Sequence, residues 1–144
     1  MIRKATIDDA LCVAKMAIQM WEDNTLEGLT EDLSKIIASP ESAVFLLYEG
    51  ELAIGFAQCQ LRHDYVEGTD SSPVGYLEGI FVEEDYRNKG CAKELLKQCE
   101  AWARSMGCTE FASDCELDNT GSLAFHLKMG FEEANRVICF TKRL

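Results

Sequence analysis

The segment Tyr76-Leu-Glu-Gly-Ile-Phe-Val-Glu-Glu-Asp-Tyr-Arg-Asn-Lys-Gly-Cys-Ala-Lys93 decides how the rest of the chain is interpreted. Its first seven residues are mostly apolar and predict a buried strand. Its last six contain Arg87-x-x-Gly90-x-Ala92 and lead directly into a helical pattern. A strand that turns through a glycine into a helix leaves several main-chain N–H groups free at the positive helix end, where phosphates bind. The segment therefore predicts a diphosphate site.

Two other glycine-rich nucleotide motifs do not fit this segment. It lacks the Gly-Lys-Ser/Thr ending of a P-loop, and it lacks G-x-G-x-x-G followed by an acidic residue about 20 positions on. The alternative that Gly90 serves only a tight turn stays open at this point. Gly79 adds a second expectation, because a glycine inside a strand often marks a bulge or a close approach of another group. A bulge here would splay this strand from a parallel neighbour.

Composition and charge limit the class of protein. The 144 residues, of which 47% are hydrophobic, fit a single domain spanning 1–144. The net charge of −11 argues against nucleic-acid binding, and its first explanation is solubility, with a polycationic substrate as the alternative that composition alone does not decide. No apolar run is long enough for a membrane span and the N-terminus lacks a signal-peptide core, so we expect a cytoplasmic protein.

The cysteines are expected to be small buried hydrophobic residues in a reducing compartment. There are seven of them, an odd number, and no pair has C-x-x-C spacing. We therefore predict neither a metal site nor a covalent acetyl-cysteine intermediate.

The hydrophobic patterns predict a mixed α/β (α+β) sheet. Hairpins at both ends flank a strand–helix–strand unit over 74–115, which should supply one parallel pair in a mostly antiparallel sheet with about four helices. Thr6-x-x-Asp9 looks like a capping box, followed by a stripe of Leu11, Ala14, Ile18 and Trp21. The remaining predicted helices begin near Thr30, Asn88 and Asn119. The predicted strands are 2–5, 43–48, 52–62, 74–82, 109–115, 131–133 and 137–141.

Three lysines recur along one side of the predicted helix after Gly90. Lys89, Lys93 and Lys97 lie four residues apart, off the apolar stripe. A solvated helix face and a surface that assists an anionic ligand explain this spacing equally well.

A second motif, Asn119-x-x-Ser122-x-x-Phe125-His126-x-x-x-Gly130-Phe131, lies downstream of the first. Together the two motifs and the strand order resemble the GNAT acetyltransferase superfamily, over most of the chain. The resemblance implies an acetyl-coenzyme A site. Its cofactor-binding residues would be Ile80, Phe81, Val82, Arg87, Asn88, Lys89, Gly90, Cys91, Ala92 and Asn119. The N–H groups of Ile80 and Val82 are expected to bond the pantetheine arm and polarise the thioester carbonyl.

Four further segments look like one subgroup, the aminoglycoside 6'-N-acetyltransferases. They are 62–68, 71–74, 77–80 and 111–114. In that subgroup Trp21, Tyr65, Glu78 and Asp114 would line the substrate pocket. The resemblance also implies a homodimer. Relatives of this kind often carry an acidic residue where this chain has Asn135, which leaves the natural substrate open.

Amine acetylation explains why a carboxylate is needed in such a pocket. A primary amine with a pKa of about 10.4 is mostly protonated near neutrality, so an acidic group must bind the cation and then accept a proton. Glu78 is our candidate for that base, with solvent exposure or pairing with an arginine as the alternative. For Asp114 the alternative is a turn or cap residue, and for Trp21 it is a core position.

His126 stands where many GNAT enzymes have a tyrosine. It is predicted either to donate a proton to the leaving thiolate or only to pack locally. Two rival functions also stay open. One is a GNAT enzyme for another amine, such as a polyamine, a protein N-terminus or a lysine, and the other is a non-catalytic coenzyme A-binding module.

Overall fold

Five strands form one sheet in chain order in the computed structural model, which describes residues 1–144. They are β1 (Ile2–Lys4), β2 (Ser42–Glu49), β3 (Leu52–Arg62), β4 (Val74–Val82) and β5 (Phe111–Ser113). The helices are α1 (Ala10–Ala17), α2 (Leu26–Ala38), α3 (Cys91–Ser105) and α4 (Thr120–Lys128), with 3-10 turns at Ile7–Asp9 and Glu84–Tyr86. Strands β1 to β4 pair antiparallel and β4 pairs with β5 in parallel, which confirms the predicted mixed sheet.

Helices cover both faces of the sheet. Helices α1 and α2 pack on one face, where Leu33, Phe56 and Phe81 are buried. Helix α3 covers the other face, with Leu95 against Leu77 in the same buried cluster. Burying each large apolar side chain contributes about 1.5–3 kcal/mol, so these two layers fix the sheet on which the site is built.

The ends of the first two helices differ from prediction. Helix α1 ends at Ala17, and Leu11 is 46% exposed, so the assignment of Leu11 to the buried stripe is wrong. The other members of the stripe are confirmed, because Ala14 is buried and Ile18 and Trp21 pack against the same core cluster, together with Val13. Helix α2 begins at Leu26 and not at Thr30, because Thr25 caps it by accepting the Gly28 N–H at 3.0 Å.

The predicted strands 131–133 and 137–141 are absent. Phe131 packs against Phe111, and the Asn135 side-chain amide donates to Glu67 Oε1 at 3.0 Å, so the chain leaves the sheet for the 67–68 loop. A strand needs a hydrogen-bonding partner as well as a suitable pattern. Residues 132–144 find no such partner within this chain and lie exposed.

No helix of the structure has the length and apolar character required to cross a bilayer.

Candidate active site

The turn before α3 holds a run of free main-chain N–H groups. Asn88 and Gly90 both have positive φ, at 62° and 83°, and the first turn bond of α3 runs from Glu94 N–H to the Gly90 carbonyl at 3.1 Å. The N–H groups of residues 88–93 have no acceptor within the chain. Alternating left-handed residues turn successive N–H groups towards one point, and such a concavity at a helix N-terminus binds anions.

The side chains around this turn leave the N–H groups accessible. A Cβ added at Gly90 would have no heavy atom within 4 Å, so the space beside it is open. Arg87 folds back and donates from Nε to the Val82 carbonyl at 2.7 Å, which holds the turn closed. Lys89 lies 5.6 Å from the Tyr86 ring centroid. Cys91 and Ala92 are half-buried in the first turn of α3.

One edge of β4 is unpaired beyond Leu77. Strand β5 pairs only with residues 75–77, whereas β4 continues to Val82. Glu83 N–H donates to the Ile54 carbonyl of β3 at 2.8 Å. Because N–H directions alternate along a strand, the N–H groups of Ile80 and Val82 point away from β3, into the opening left by β5. Phe81 itself is buried and packs on Phe56, so it reaches this opening only through its main chain.

The predicted irregularity in β4 is centred on Glu78. Gln58 of β3 is opposite Gly79 and Cys59 is opposite Leu77, so Glu78 is the extra residue of a bulge. The Trp21 side chain packs closely against Gly79, because a Cβ there would lie 2.9 Å from Trp21 Cζ2. The bulge expected at Gly79 is therefore confirmed.

Glu78 pairs with Arg62, the alternative that the sequence left open. Arg62 donates from Nη2 to Oε1 at 2.8 Å and to Oε2 at 3.1 Å, and from Nε to Oε1 at 3.1 Å. The Glu78 side chain is 20% exposed and that of Arg62 is 37% exposed. A buried carboxylate without a partner would be costly, and this fork-shaped contact compensates for it while keeping the group reachable from solvent.

Asp114 is tied to the same group of side chains. The Tyr76 hydroxyl donates to Asp114 Oδ2, and burial together with this bond raises the pKa of Tyr76. The Arg62 guanidinium lies 3.4 Å from the centroid of the Tyr76 ring. Glu78, Arg62, Tyr76 and Asp114 therefore form one connected cluster across β3, β4 and the end of β5, which we call the acid–arginine cluster.

The two aromatic residues predicted for the pocket have different positions. Trp21 is half-buried, lies against Gly79 and makes an edge contact with Phe56 at 6.4 Å between ring centroids. Trp21 therefore contacts the residue that follows Glu78 in the chain. Tyr65 is 75% exposed and lines a shallow groove in the 63–72 loop together with Asp64 and Asp70. The structure shows no hydrogen bond from Tyr65 to the acid–arginine cluster.

His126 is held by both ring nitrogens. Nδ1 lies 2.7 Å from the Ser122 carbonyl, and Nε2 lies 2.8 Å from Ser113 Oγ at the last paired residue of β5. The ring also makes an edge contact with Phe131 at 5.1 Å between centroids. His126 therefore reaches the base of the β4–β5 opening through Ser113. At the start of the same helix, which was predicted to begin near Asn119, Asn119 Oδ1 accepts the Ser122 N–H at 3.0 Å and caps the helix.

A groove between α3 and α4 has a basic lining. Lys93, Lys97 and Lys128 border about 320 Å³ of space, with Glu100 as the acidic member of the lining. Lys97 also makes an exposed ion pair with Glu94, a contact worth about 0–1 kcal/mol. Lys89 does not line this groove.

The cysteines are unpaired and only partly match the prediction. Cys59, Cys99 and Cys108 are buried, whereas Cys115 and Cys139 are exposed. The neighbouring Cys59 thiol and burial raise the pKa of Cys99, which keeps it from acting as a thiolate. The structure contains no group of three or more His, Cys, Asp or Glu side chains arranged to hold a metal ion.

Sequence reasoning missed three residues that the structure brings to the site. Arg62 and Tyr76 are identified as neighbours only from the β3–β4 register. That register sets Gln60 opposite Tyr76, so Arg62, two residues further along β3, lies near Tyr76 on the same face. Ser113 is identified only by its contact with His126. The one available signal was the alternation Gln58–Gln60–Arg62 of polar residues along an otherwise apolar strand.

Comparison with known proteins gives a consistent result. Residues 13–131 match the acetyltransferase (GNAT) family. The chain is 43% identical to an aminoglycoside N(6')-acetyltransferase type 1 of Stenotrophomonas maltophilia, over 96% of this chain and 90% of that protein. It is 42% identical to the protein of that name from Salmonella typhimurium, with coverages of 87% and 86%.

Solved structures show the same relationship. The aminoglycoside N-acetyltransferase AAC(6')-Iy in complex with CoA matches with a TM-score of 0.96 at 38% identity, covering all of this chain and 95% of that one. AAC(6')-Iy in complex with the bisubstrate analog CoA-S-monomethyl-acetylneamine matches with a TM-score of 0.95, also at 38% identity, with coverages of 100% and 98%. The free amides before α3, the opened edge of β4 and these matches agree, and the chain belongs to the GNAT acetyltransferase family.

Proposed function

We propose that this protein is an acetyl-CoA-dependent aminoglycoside 6'-N-acetyltransferase, with residues 1–144 acting as one catalytic domain. The observation that carries the proposal is the match over the whole chain, at 38% identity and a TM-score of 0.95, to an enzyme solved with the bisubstrate analog CoA-S-monomethyl-acetylneamine. The acidic residues beside the bulge of β4 support a cationic amine as the acceptor. The net charge of the whole chain, −11, is negative as well and favours the same kind of substrate.

The residues of this chain fit acetyl-CoA. The free N–H groups of 88–93 would hold its diphosphate, and the unpaired N–H groups of Ile80 and Val82 would bond its pantetheine arm and thioester. The open space beside Gly90 leaves room for the phosphates to approach the main chain. Asn119 has its Oδ1 engaged in the cap, so its NH₂ is the group available to the cofactor.

Acetyl-CoA supplies an activated acetyl group, which the neutral amine attacks so that a C–N bond forms and the C–S bond breaks. Glu78 binds the incoming ammonium and accepts the proton that the nitrogen must lose, directly or through water. Asp114 adds a second negative charge, and Trp21 and Tyr65 offer aromatic faces to a sugar ring. The leaving thiol has a pKa of about 8.5, so its thiolate needs little assistance, and His126, which is bonded to Ser113 Oγ, would provide a proton.

A selectivity assay tests the substrate class. Acetyl-CoA consumption would be followed with kanamycin, with spermidine and with a peptide amine, and with an aminoglycoside that has a hydroxyl in place of the 6'-amine. We expect the highest kcat/KM for kanamycin and no transfer to the 6'-hydroxyl compound. Turnover of the peptide or polyamine alone would replace the aminoglycoside proposal by one of the rival amines.

A substitution at the base separates an enzyme from a non-catalytic CoA-binding module. Glu78→Gln should lower kcat by about 10²- to 10⁴-fold while CoA still binds. Glu31→Gln removes an acid that is 72% exposed and paired with Lys35 away from the site, so it should leave kcat unchanged. A Glu78→Gln variant with the activity of the parent would exclude Glu78 as the base.

We propose further that the protein works as a homodimer in which the C-terminal segments are shared. Val137, Ile138 and Phe140 are 69%, 81% and 87% exposed, which is unusual for side chains of this size. Strand β5 is a sheet edge with unpaired main-chain groups. Segment 137–141 has the alternating pattern of a strand. If this segment of a second copy pairs with the edge of β5, the exposed apolar side chains are buried and the main-chain groups of β5 gain partners.

Sedimentation of the full chain tests the dimer. We expect a dimer for the parent and a monomer, or a dimer weakened by about 10- to 100-fold, for Phe140→Asp, because burying a phenylalanine contributes about 1.5–3 kcal/mol. Phe140→Leu is the matched control and should remain dimeric. A monomeric parent at concentrations used for assay would refute the arrangement.

A further inference from the structure

Both acids proposed for the substrate pocket are already engaged by one arginine and its tyrosine. Arg62 binds the Glu78 carboxylate, lies over the Tyr76 ring at 3.4 Å, and Tyr76 in turn donates to Asp114. Arg62 is the one positive side chain of the acid–arginine cluster. A positive charge beside a pocket for cations reduces the attraction of that pocket for its substrate. The position of Arg62 therefore calls for an explanation.

The contacts of Glu78 show what Arg62 achieves. A carboxylate has about four lone-pair positions, and Arg62 occupies two on Oε1 and one on Oε2. The position that remains is on Oε2. Since the bulge leaves Glu78 without a strand partner to fix its direction, the guanidinium is what orients the carboxylate and selects the oxygen that meets the amine.

The charge of Arg62 has a second consequence. Acetyl transfer requires the neutral amine, and a nearby like charge disfavours the protonated form of an amine. Glu78 and Asp114 attract the ammonium, while Arg62 opposes its retention as a cation. Arg62 therefore weakens binding of the charged substrate and favours the reactive neutral form.

We infer that Arg62 is a positioning residue for acetyl transfer, one that directs Glu78 Oε2 at the substrate amine and raises kcat at the expense of substrate affinity. The inference rests on the proposed function, because it needs a cationic amine as acceptor. It predicts that kcat and KM both fall when the guanidinium is removed.

The chain offers a closely matched control at the far side of the sheet. Arg3 binds Asp9 with two hydrogen bonds of 2.8 and 2.7 Å, and it lies 5.1 Å from the Tyr48 ring centroid. Arg3 and Arg62 are similarly exposed, at 39% and 37% of the side chain. Arg3→Gln thus breaks the same kind of arginine–carboxylate–tyrosine contact without touching the site.

The test is steady-state kinetics of Arg62→Gln, Arg62→Lys and Arg3→Gln with kanamycin, together with their thermal unfolding. For Arg62→Gln we expect kcat to fall about tenfold or more, as one unit of amine pKa changes the neutral fraction about tenfold, and KM to fall as well. Arg62→Lys keeps the charge but loses the planar guanidinium that donates from two nitrogens to Glu78. Its KM should therefore stay near the parent value while kcat is only partly retained. Arg3→Gln should lower thermal stability and leave both constants unchanged.

Three results would overturn the inference. One is a raised KM with unchanged kcat in Arg62→Gln, and another is unchanged kinetics. The third is a loss of activity in both Arg62 variants that follows their loss of thermal stability, as for a structural residue. If Arg62→Gln does not fold, the comparison of Arg62→Lys with the parent decides, and an unchanged kcat there refutes the positioning role. Failure of the parent to acetylate kanamycin would instead refute the proposed function.

Discussion

Replacing Gly90 by valine should separate the cost of backbone strain from the loss of a cofactor contact. Gly90 has φ of +83°, a conformation that strains a β-branched residue by about 1–3 kcal/mol. Its Cβ would meet no atom of the protein within 4 Å, so any further effect must come from a ligand. Hydrogen bonds to a charged phosphate contribute about 1.5–3 kcal/mol each, so losing one raises the dissociation constant for CoA about 10- to 150-fold.

Gly107 provides the control for this experiment. It has φ of +91°, also has no atom within 4 Å of an added Cβ, and follows the other end of α3. Urea unfolding should show similar losses of stability for Gly90→Val and Gly107→Val. Calorimetric titration with CoA should show weakened binding for Gly90→Val alone. Equal affinities in the two variants would mean that the diphosphate lies elsewhere.

Three further substitutions test other parts of the account. Gly79→Ala places a methyl group 2.9 Å from Trp21 Cζ2, so we expect a loss of about 1–3 kcal/mol of stability and a raised KM for kanamycin. Gly121→Ala is the control, because its Cβ has only Asn119 Oδ1 within 4 Å, at 3.8 Å, and it should change neither quantity. The hydrogen bonds from Arg3 lower the pKa of Asp9 from 3.8 to about 2, so the stability that Asp9 contributes is complete above about pH 4 and is lost as the pH falls towards 2. Urea unfolding should therefore show a larger difference between the parent and Asp9→Asn near neutrality than near pH 3, and a constant difference would contradict this. Gln58 Oε1 is buried without a partner, so Gln58→Met should raise the free energy of unfolding by about 1–3 kcal/mol, and Gln98→Met on an exposed face should not.

The sequence predicted those parts of the fold that depend on neighbouring residues. Strands β3 and β4 have the predicted bounds, α4 begins directly after Asn119, and Gly79 lies at the predicted bulge. Each of these rests on local backbone chemistry or on the alternation of a strand. The turn before α3 belongs to the same class, because the left-handed conformation of Gly90 is what a glycine there allows.

Features set by distant contacts were not predictable in this way. The pairing of Glu78 with Arg62 depends on strand register and on the bulge, which shifts one residue of β4 relative to β3. Leu11 was wrongly assigned to the buried face of α1, because Val13 and small alanines fill that face instead. The C-terminal segment has the pattern of a strand, but a pattern carries no information on which chain supplies the partner.

Amide hydrogen exchange measured with and without CoA shows directly whether these main-chain N–H groups hold the cofactor. We predict slower exchange at residues 88–93 and at Ile80 and Val82 when CoA is added, because these N–H groups have no acceptor in the free chain. The amides that follow α3 at Gly107 and Cys108 already donate within the chain and should be unaffected. Unchanged exchange at 80, 82 and 88–93 under conditions where CoA is bound would contradict the account.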